Sequence, residues 1–415
     1  MISIVILLIV FILIAVRQFA NIRYRIWQVM LAGALAVLVT GQISPLQALK
    51  AINPDVMLFL FGMFVVGQAL DESGYLSHLS HRFFSRARSL DHLVLLVLLV
   101  TGILSAFLMN DTLAIIGTPV MLLLARQTGA PARVLLLSLA FAITIGSVMS
   151  PIGNPQNLLI AVNGHLASPF VTFFRYLSLP TLVNLLLAYL LLRLCYKDHF
   201  RKKLPFTSPE PIRDRRLAML SRASLTLLFI LVLAKISTVF LHLKIDIRLT
   251  YIALASALPI ILFSPQRLGI IRRIDWYTLI FFTAMFVLME SVWDAGFLQS
   301  VLNATHLTLT ATSAILGISV LLSQVISNVP FVALYLPLLL QLGASLKGMM
   351  ALAAGSTIAG NFSILGAASN VIIIQNAEKN SAETLTFLDF MKVGVPLTVI
   401  NIAVYWLFLE VIFKA

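Results

Sequence analysis

The feature that most constrains this chain is the recurrence of apolar stretches of about 20 residues, the length a helix needs to cross the hydrocarbon of a bilayer. Such stretches lie near 2–20, 26–42, 55–71, 133–164, 176–195, 222–241, 248–263, 276–292, 346–376 and 386–412. The 415 residues are long enough for several soluble domains, but only 11% are charged and 60% are hydrophobic. A soluble domain carries roughly 25% charged residues, so this chain could not cover a water-facing surface. The reading is an all-α polytopic membrane protein. The first apolar run follows no Lys or Arg and precedes no A-x-A-like site, so it is expected to stay as a span.

Two more apolar stretches, 91–125 and 308–342, are too long for one crossing and carry a polar break midway. Each is expected to be a re-entrant hairpin. Placement of Lys and Arg supports this. With the N-terminus outside, 21 of the 29 fall in cytoplasmic loops and 6 outside, with Lys235 and Lys392 inside spans. Loops rich in Lys and Arg stay in the cytoplasm. The +13 net charge therefore reads as topology, and nucleic acid is not an expected partner. The expected location is a bacterial or archaeal plasma membrane.

The expected organisation has an additional N-terminal span (1–24), a first repeat (25–195), a basic cytoplasmic linker (196–221), a connecting span (222–241) and a second repeat (242–415). The repeats match under small shifts. Ile52, Phe59, Met63, Phe64, Val65, Gly74 and Leu76 meet Ile274, Phe281, Met285, Phe286, Val287, Gly296 and Leu298. Ser105, Asn110 and Pro119 meet Ser323, Asn328 and Pro337. Residues 144–161 (TIGSVMSPIGNPQNLLIA) meet 357–374 (TIAGNFSILGAASNVIII), identical at six of eighteen positions. One connecting span inverts the second copy, and an inverted repeat with interrupted helices is a recurring transporter build.

Four polar breaks fall at membrane depth, where irregular backbone must face protein or water. Two are hairpin tips, 109–112 (MNDT) and 327–330 (SNVP). Two interrupt spans, 150–157 (SPIGNPQN) and 361–370 (NFSILGAASN). Helix N-termini there offer N–H groups to an anion, and C-termini offer carbonyls to a cation. As single features, Asn110, Asp111 and Asn328 could be helix caps; four breaks paired by a repeat point to a site. Asp111 has Val329 as its counterpart. An ionisable group at membrane depth is a functional candidate, here for proton coupling or cation binding. Asp71, Glu72 and Asp294 precede Gly74 and Gly296 and read as helix ends; Glu290, aligned with Gln68, reads as interfacial, and Lys235 as reaching outward. His78, His81, His92, His165, His199, His242 and His306 sit in loops or at span ends. No nucleotide loop, H-E-x-x-H or cysteine pair occurs; Cys195 is alone. Nothing suggests an enzyme or a transition-metal site.

Four segments resemble the ion transporter superfamily of ArsB-type arsenite permeases, NhaD-type sodium/proton antiporters and divalent anion/sodium symporters: 105–120, 150–161, 323–339 and 360–373. The Asn110-Asp111 and Ser327-Asn328-Val329-Pro330 tips are closest to the ArsB-like branch. The resemblance implies about ten spans, two hairpins, and a transport domain moving against a scaffold. It places substrate and ions at Asn110, Asp111, Thr112, Ser150, Gly153, Asn154 and Asn157, and at Ser327, Asn328, Ser363, Gly366, Ser369 and Asn370. It implies no resident cofactor, sodium or a proton as coupling ion (sodium at the tips and broken-helix carbonyls), and a homodimer. An ArsB-like member would also take an ATPase subunit as partner. The expected activity is ion-coupled transport of a small anion, oxyanion or metalloid, arsenite or antimonite efflux first. A sodium-coupled di/tricarboxylate or sulfate symporter comes second, and a sodium/proton antiporter third.

Overall fold

The computed structural model describes residues 2–19, 26–75, 78, 84, 87, 89–200, 212–241, 248–296, 310–326, 328–380 and 385–413. Ser327, the basic residues at 23, 25, 82, 86, 88, 244 and 414, and linker residues 201–211 lie outside them. Among the described residues the regular elements are helices, eighteen of them α-helices. The first half holds α1 (Ile2–Phe19), α2 (Ile26–Val39), α3 (Pro45–Ala51), α4 (Pro54–Ser73), α5 (Leu90–Ser105), α6 (Asn110–Thr128), α7 (Ala132–Ser147), α8 (Pro155–Asn163) and α9 (Pro169–Cys195). The second holds α10 (Arg215–Phe240), α11 (Leu249–Phe263), α12 (Arg267–Arg273), α13 (Trp276–Asp294), α14 (Thr312–Ile326), α15 (Asn328–Gln341), α16 (Leu346–Ile358), α17 (Ala368–Asn380) and α18 (Phe387–Trp406), which runs into a π-turn, Leu407–Ile412.

Five stretches are long and apolar enough to cross a membrane by length and composition: Pro54–Ser73, Pro169–Cys195, Arg215–Lys235, Trp276–Asp294 and Phe387–Ile412. Apolar side chains are exposed along α1 (Val5, Leu8, Ile12), α9 (Phe174, Leu186, Leu190) and α10 (Ile230, Leu233). Faces of that kind suit hydrocarbon.

Two helices form the centre. α7 is buried from Val134 to Ser147 and α16 from Gly348 to Ile358. A helix apolar on all sides belongs inside a bundle. α5 packs along α7, and α14 along α16. Gly146 lets α7 approach α5 closely, since a Cβ there would lie 2.1 Å from the Gly102 carbonyl oxygen. Several further contacts come in matched pairs across the halves. α4 packs on α11 and α2 on α13; α6 packs on α17 and α15 on α8; α9 packs on α18.

Boundaries differ from the sequence expectation where caps decide them. α10 starts at Arg215, inside the stretch read as linker, because Asp214 caps it by accepting the Leu217 N–H (2.9 Å). α9 starts at Pro169, a residue with no N–H to leave unpaired. The short helix α3 begins with a capping box, Ser44 with Gln47. Lys235 is buried within α10 and does not reach outward as expected.

Candidate functional site

The first break separates α7 from α8. Asn154 caps α8: its Oδ1 accepts the Asn157 N–H (2.8 Å), and its Nδ2 donates to the hydroxyls of Ser147 and Thr357 (both 3.1 Å). Asn157 closes the turn. Its Nδ2 donates to the carbonyls of Ser147 (3.0 Å), Ser150 (3.0 Å) and Val148 (3.4 Å), groups freed where α7 ends. Its Oδ1 accepts from the Thr357 hydroxyl (3.3 Å). Ser150 accepts the Ile152 N–H (3.2 Å). Gly153 is needed because a Cβ would lie 2.5 Å from the Ser147 carbonyl oxygen. The Gly153 carbonyl accepts the Asn110 N–H (2.9 Å), which joins this break to the start of α6.

The second break separates α16 from α17 through two 3₁₀ turns, Ala359–Asn361 and Ile364–Gly366. Asn370 repeats the work of Asn157 at the shifted positions, donating to the carbonyls of Gly360 (2.6 Å) and Ser363 (3.3 Å). The Ser363 hydroxyl donates to Gln324 Oε1 (3.0 Å), and Gln324 Nε2 donates to the Ala359 carbonyl (2.8 Å). Gly366 is pressed against that same carbonyl, 2.5 Å from where a Cβ would stand. Among the described residues several buried polar atoms have no partner: Asn361 Oδ1, Ser369 Oγ and Asn370 Oδ1 in this break, and Asn328 Oδ1 at the start of α15. Thr144 Oγ1, from α7, is also buried and unpartnered. It lies against this break, since a Cβ on Gly360 would be 3.6 Å from it.

The structure therefore brings Asn110, Ser150, Gly153, Asn154 and Asn157 together at one break. It brings Ser363, Gly366 and Asn370 together at the other, where Ser369 is buried beside Asn370. Asp111 and Thr112 face elsewhere. They line a cavity of about 40 Å³ with Gly67, Gln68 and Asp71 of α4 and with Asp275, the cap of α13. Asp275 is held by the Thr278 backbone N–H (3.0 Å) and hydroxyl. Three carboxylates from three elements thus line one small space, together with the apolar Phe64, Ile115 and Ile116.

Sequence reasoning passed over four kinds of residue here. Thr357 is the hub of the first break, yet it lies on the far half of the chain; the repeat alignment already paired it with Thr144. Gln156 also reaches Thr357 (3.4 Å). Asn361, Asn401 and Asn184 form a buried chain of amides, each link 2.9 Å. Asn184 and Asn401 are 217 positions apart, the same shift that pairs Thr181 with Thr398, so the repeat held that signal too. Asp275, one residue before the span expected at 276–292, was passed over as well.

Among the described residues no group of three or more His, Cys, Asp or Glu is placed to hold a metal ion. The unspent groups at the second break are neutral oxygens. Such oxygens suit a hard cation or a hydroxylated solute.

An all-helical, multi-pass membrane chain with paired interrupted helices at its buried centre belongs to the class of secondary transporters. Residues 6–348 match the family described as citrate transporter, and the chain belongs to that family. It lies within the ion transporter superfamily that the motifs resemble, and it is a transporter and not an enzyme. An uncharacterized transporter of Mycobacterium tuberculosis is 29% identical over 415 residues, 94% of each chain. A silicon efflux transporter of Oryza sativa subsp. japonica is 28% identical over 446 residues, 90% of each. The YdaH transporter of Alcanivorax borkumensis shares the fold, with a TM-score of 0.59 at 15% identity over 86% of this chain and 84% of that one.

Proposed function

We propose that the chain exports a small hydroxylated metalloid or oxyanion, arsenite or antimonite first, in exchange for protons across a plasma membrane. The observation that carries this is the pair of buried breaks, lined by Asn, Ser and Thr, one of which keeps unspent acceptors. Neutral donors and acceptors match a small polyhydroxylated solute and release it readily, whereas a tricarboxylate asks for opposing charge. The silicon efflux relative supports the same solute chemistry.

The matched contact pairs support an inverted repeat of about ten spans and two hairpins, α5–α6 and α14–α15. In this reading the hairpins, α7–α8 and α16–α17 move together as an elevator against a scaffold of α2, α4, α11 and α13. The first and second breaks exchange roles in the cycle. The Thr357–Asn157 bond has an unmade counterpart, Thr144–Asn370, and the opposite access state makes it. Asp111 lies where mover meets scaffold, so a proton taken up there is coupled to the movement. The N-terminus is outside, the basic linker is cytoplasmic, and the protein is a homodimer.

The test is arsenite accumulation in inside-out vesicles under a proton gradient, wild type beside Asp111→Asn. Accumulation that the variant loses is expected. Absence of accumulation by folded wild type would remove the metalloid reading. The family match favours a second reading, a sodium-coupled carboxylate or sulfate symporter, with sodium held by the unspent oxygens of the second break. Citrate uptake that requires sodium would establish it instead.

A further inference from the structure

We propose that a crevice at the basic face of the protein binds the phosphate of an anionic phospholipid. The crevice has a volume of about 700 Å³ and opens where the end of α4, the start of α10 and the α11–α12 corner meet. Arg213, Arg215, Arg216 and Arg273 line it, against only two carboxylates, Glu72 and Asp214.

Both carboxylates are engaged already. Glu72 accepts from Gln68 Nε2 (2.8 Å) and pairs with Arg273 Nε (3.1 Å). Asp214 caps α10 through Oδ1 and accepts from Gln266 Nε2 through Oδ2 (3.1 Å). Among the described residues, Arg213, Arg215 and Arg216 form no ion pair. Arg213 feels the charge of Asp71 across the end of α4, and the guanidiniums of Arg215 and Arg216 have no such carboxylate among the described residues.

Their placement is built by the fold. The Arg213 N–H donates to the Ser73 carbonyl (3.1 Å) at the end of α4. Arg213 lies against Gly74, whose φ of 70° admits the turn and where a Cβ would stand 3.2 Å from Arg213 Cγ. Arg216 reaches across to α11, donating from a terminal nitrogen to the Phe263 carbonyl (3.5 Å). Arginines drawn from separate stretches of chain converge here, whereas a topology signal needs only that they lie on one side of the membrane.

The surroundings select a lipid. Leu262 and Phe263 end α11 exposed, as do Met219 on α10 and Leu268 on α12. Guanidiniums thus stand at the edge of an exposed apolar belt, as a phosphate above its acyl chains requires. Arginine matches phosphate through paired N–H donors, and basic pockets between helices on this side of a membrane take anionic headgroups.

The test uses the purified full-length protein, native mass spectrometry and thermal unfolding in detergent. Phosphatidylglycerol, phosphatidylcholine and inorganic phosphate are added separately. Phosphatidylglycerol should remain bound and raise the melting temperature, and the other two should not. At about a factor of 5 per arginine near a membrane surface, the triple variant Arg213→Gln/Arg215→Gln/Arg216→Gln should bind it about 100-fold more weakly. Arg272→Gln, an exposed arginine of α12 that does not line the crevice, should bind like wild type. The proposal fails if phosphatidylcholine stabilises equally, if the triple variant keeps its lipid, or if Arg272→Gln loses as much. An equal response to inorganic phosphate would assign the crevice to a soluble anion and overturn the lipid.

Discussion

The two breaks are copies of one design, and they stand in different states. In the first, the amide of Asn157 is spent on both sides, donating to three carbonyls and accepting from Thr357. In the second, Asn370 donates to the matching carbonyls, but among the described residues its Oδ1 accepts nothing and Thr144 Oγ1 has no partner. The hairpins show the same contrast. The Ser105 hydroxyl donates to the Ile143 carbonyl (2.6 Å), while its repeat partner Ser323 has no acceptor among the described residues. Buried polar atoms are rarely left unsatisfied, and each exception calls for an explanation. The proposed function accounts for this contrast: one break is closed on itself, and the other is kept for a ligand.

The largest effect is expected at Asn157. Asn157→Ala strips donors from buried carbonyls at the end of α7 and should destabilise by about 3 kcal/mol or more. Asn370→Ala loses fewer bonds and should cost about 1 to 2 kcal/mol. Thermal unfolding of the two variants measures the gap, and equal losses would erase the contrast between breaks. Gly153→Ala forces a methyl group onto the Ser147 carbonyl and should cost about 1 to 3 kcal/mol by overpacking. Thr357→Val removes the hydroxyl that three side chains of the first break share, and about 1 to 2 kcal/mol should go with it. Smallest of all, Ser369→Ala removes an unpartnered hydroxyl and should stay within about 0.5 kcal/mol of wild type. A large loss there would mean that the second break is as tightly bonded as the first.

Much of this arrangement was legible in the sequence. Apolar length gave the membrane class, and Asn157 and Asn370 stood out because a polar side chain at depth must answer to a broken helix. Alignment of the repeats also paired Thr144 with Thr357. It could not show which threonine was bonded, because the two share a residue type and in the proposed cycle the bond passes from one to the other. Asp111 stood out as an ionisable residue at membrane depth, but its neighbours Asp71 and Asp275 come from distant elements. Nothing in local periodicity brings α4, α6 and α13 to one cavity. The amide chain from Asn361 through Asn401 to Asn184 escaped notice for a related reason. A lone Asn in an apolar span carries no local sign of its partner, and only the 217-residue shift marks the pair.

The most direct test is Thr144→Val, measured for thermal stability and for gradient-driven arsenite accumulation in the same preparation. The hydroxyl it removes is unpartnered here, so the melting temperature should equal or exceed that of wild type. Accumulation should fall by about tenfold, because the opposite access state loses a hydrogen bond worth about 1.4 kcal/mol. A variant that is stable and transports as well as wild type would contradict the claim that the two breaks exchange roles.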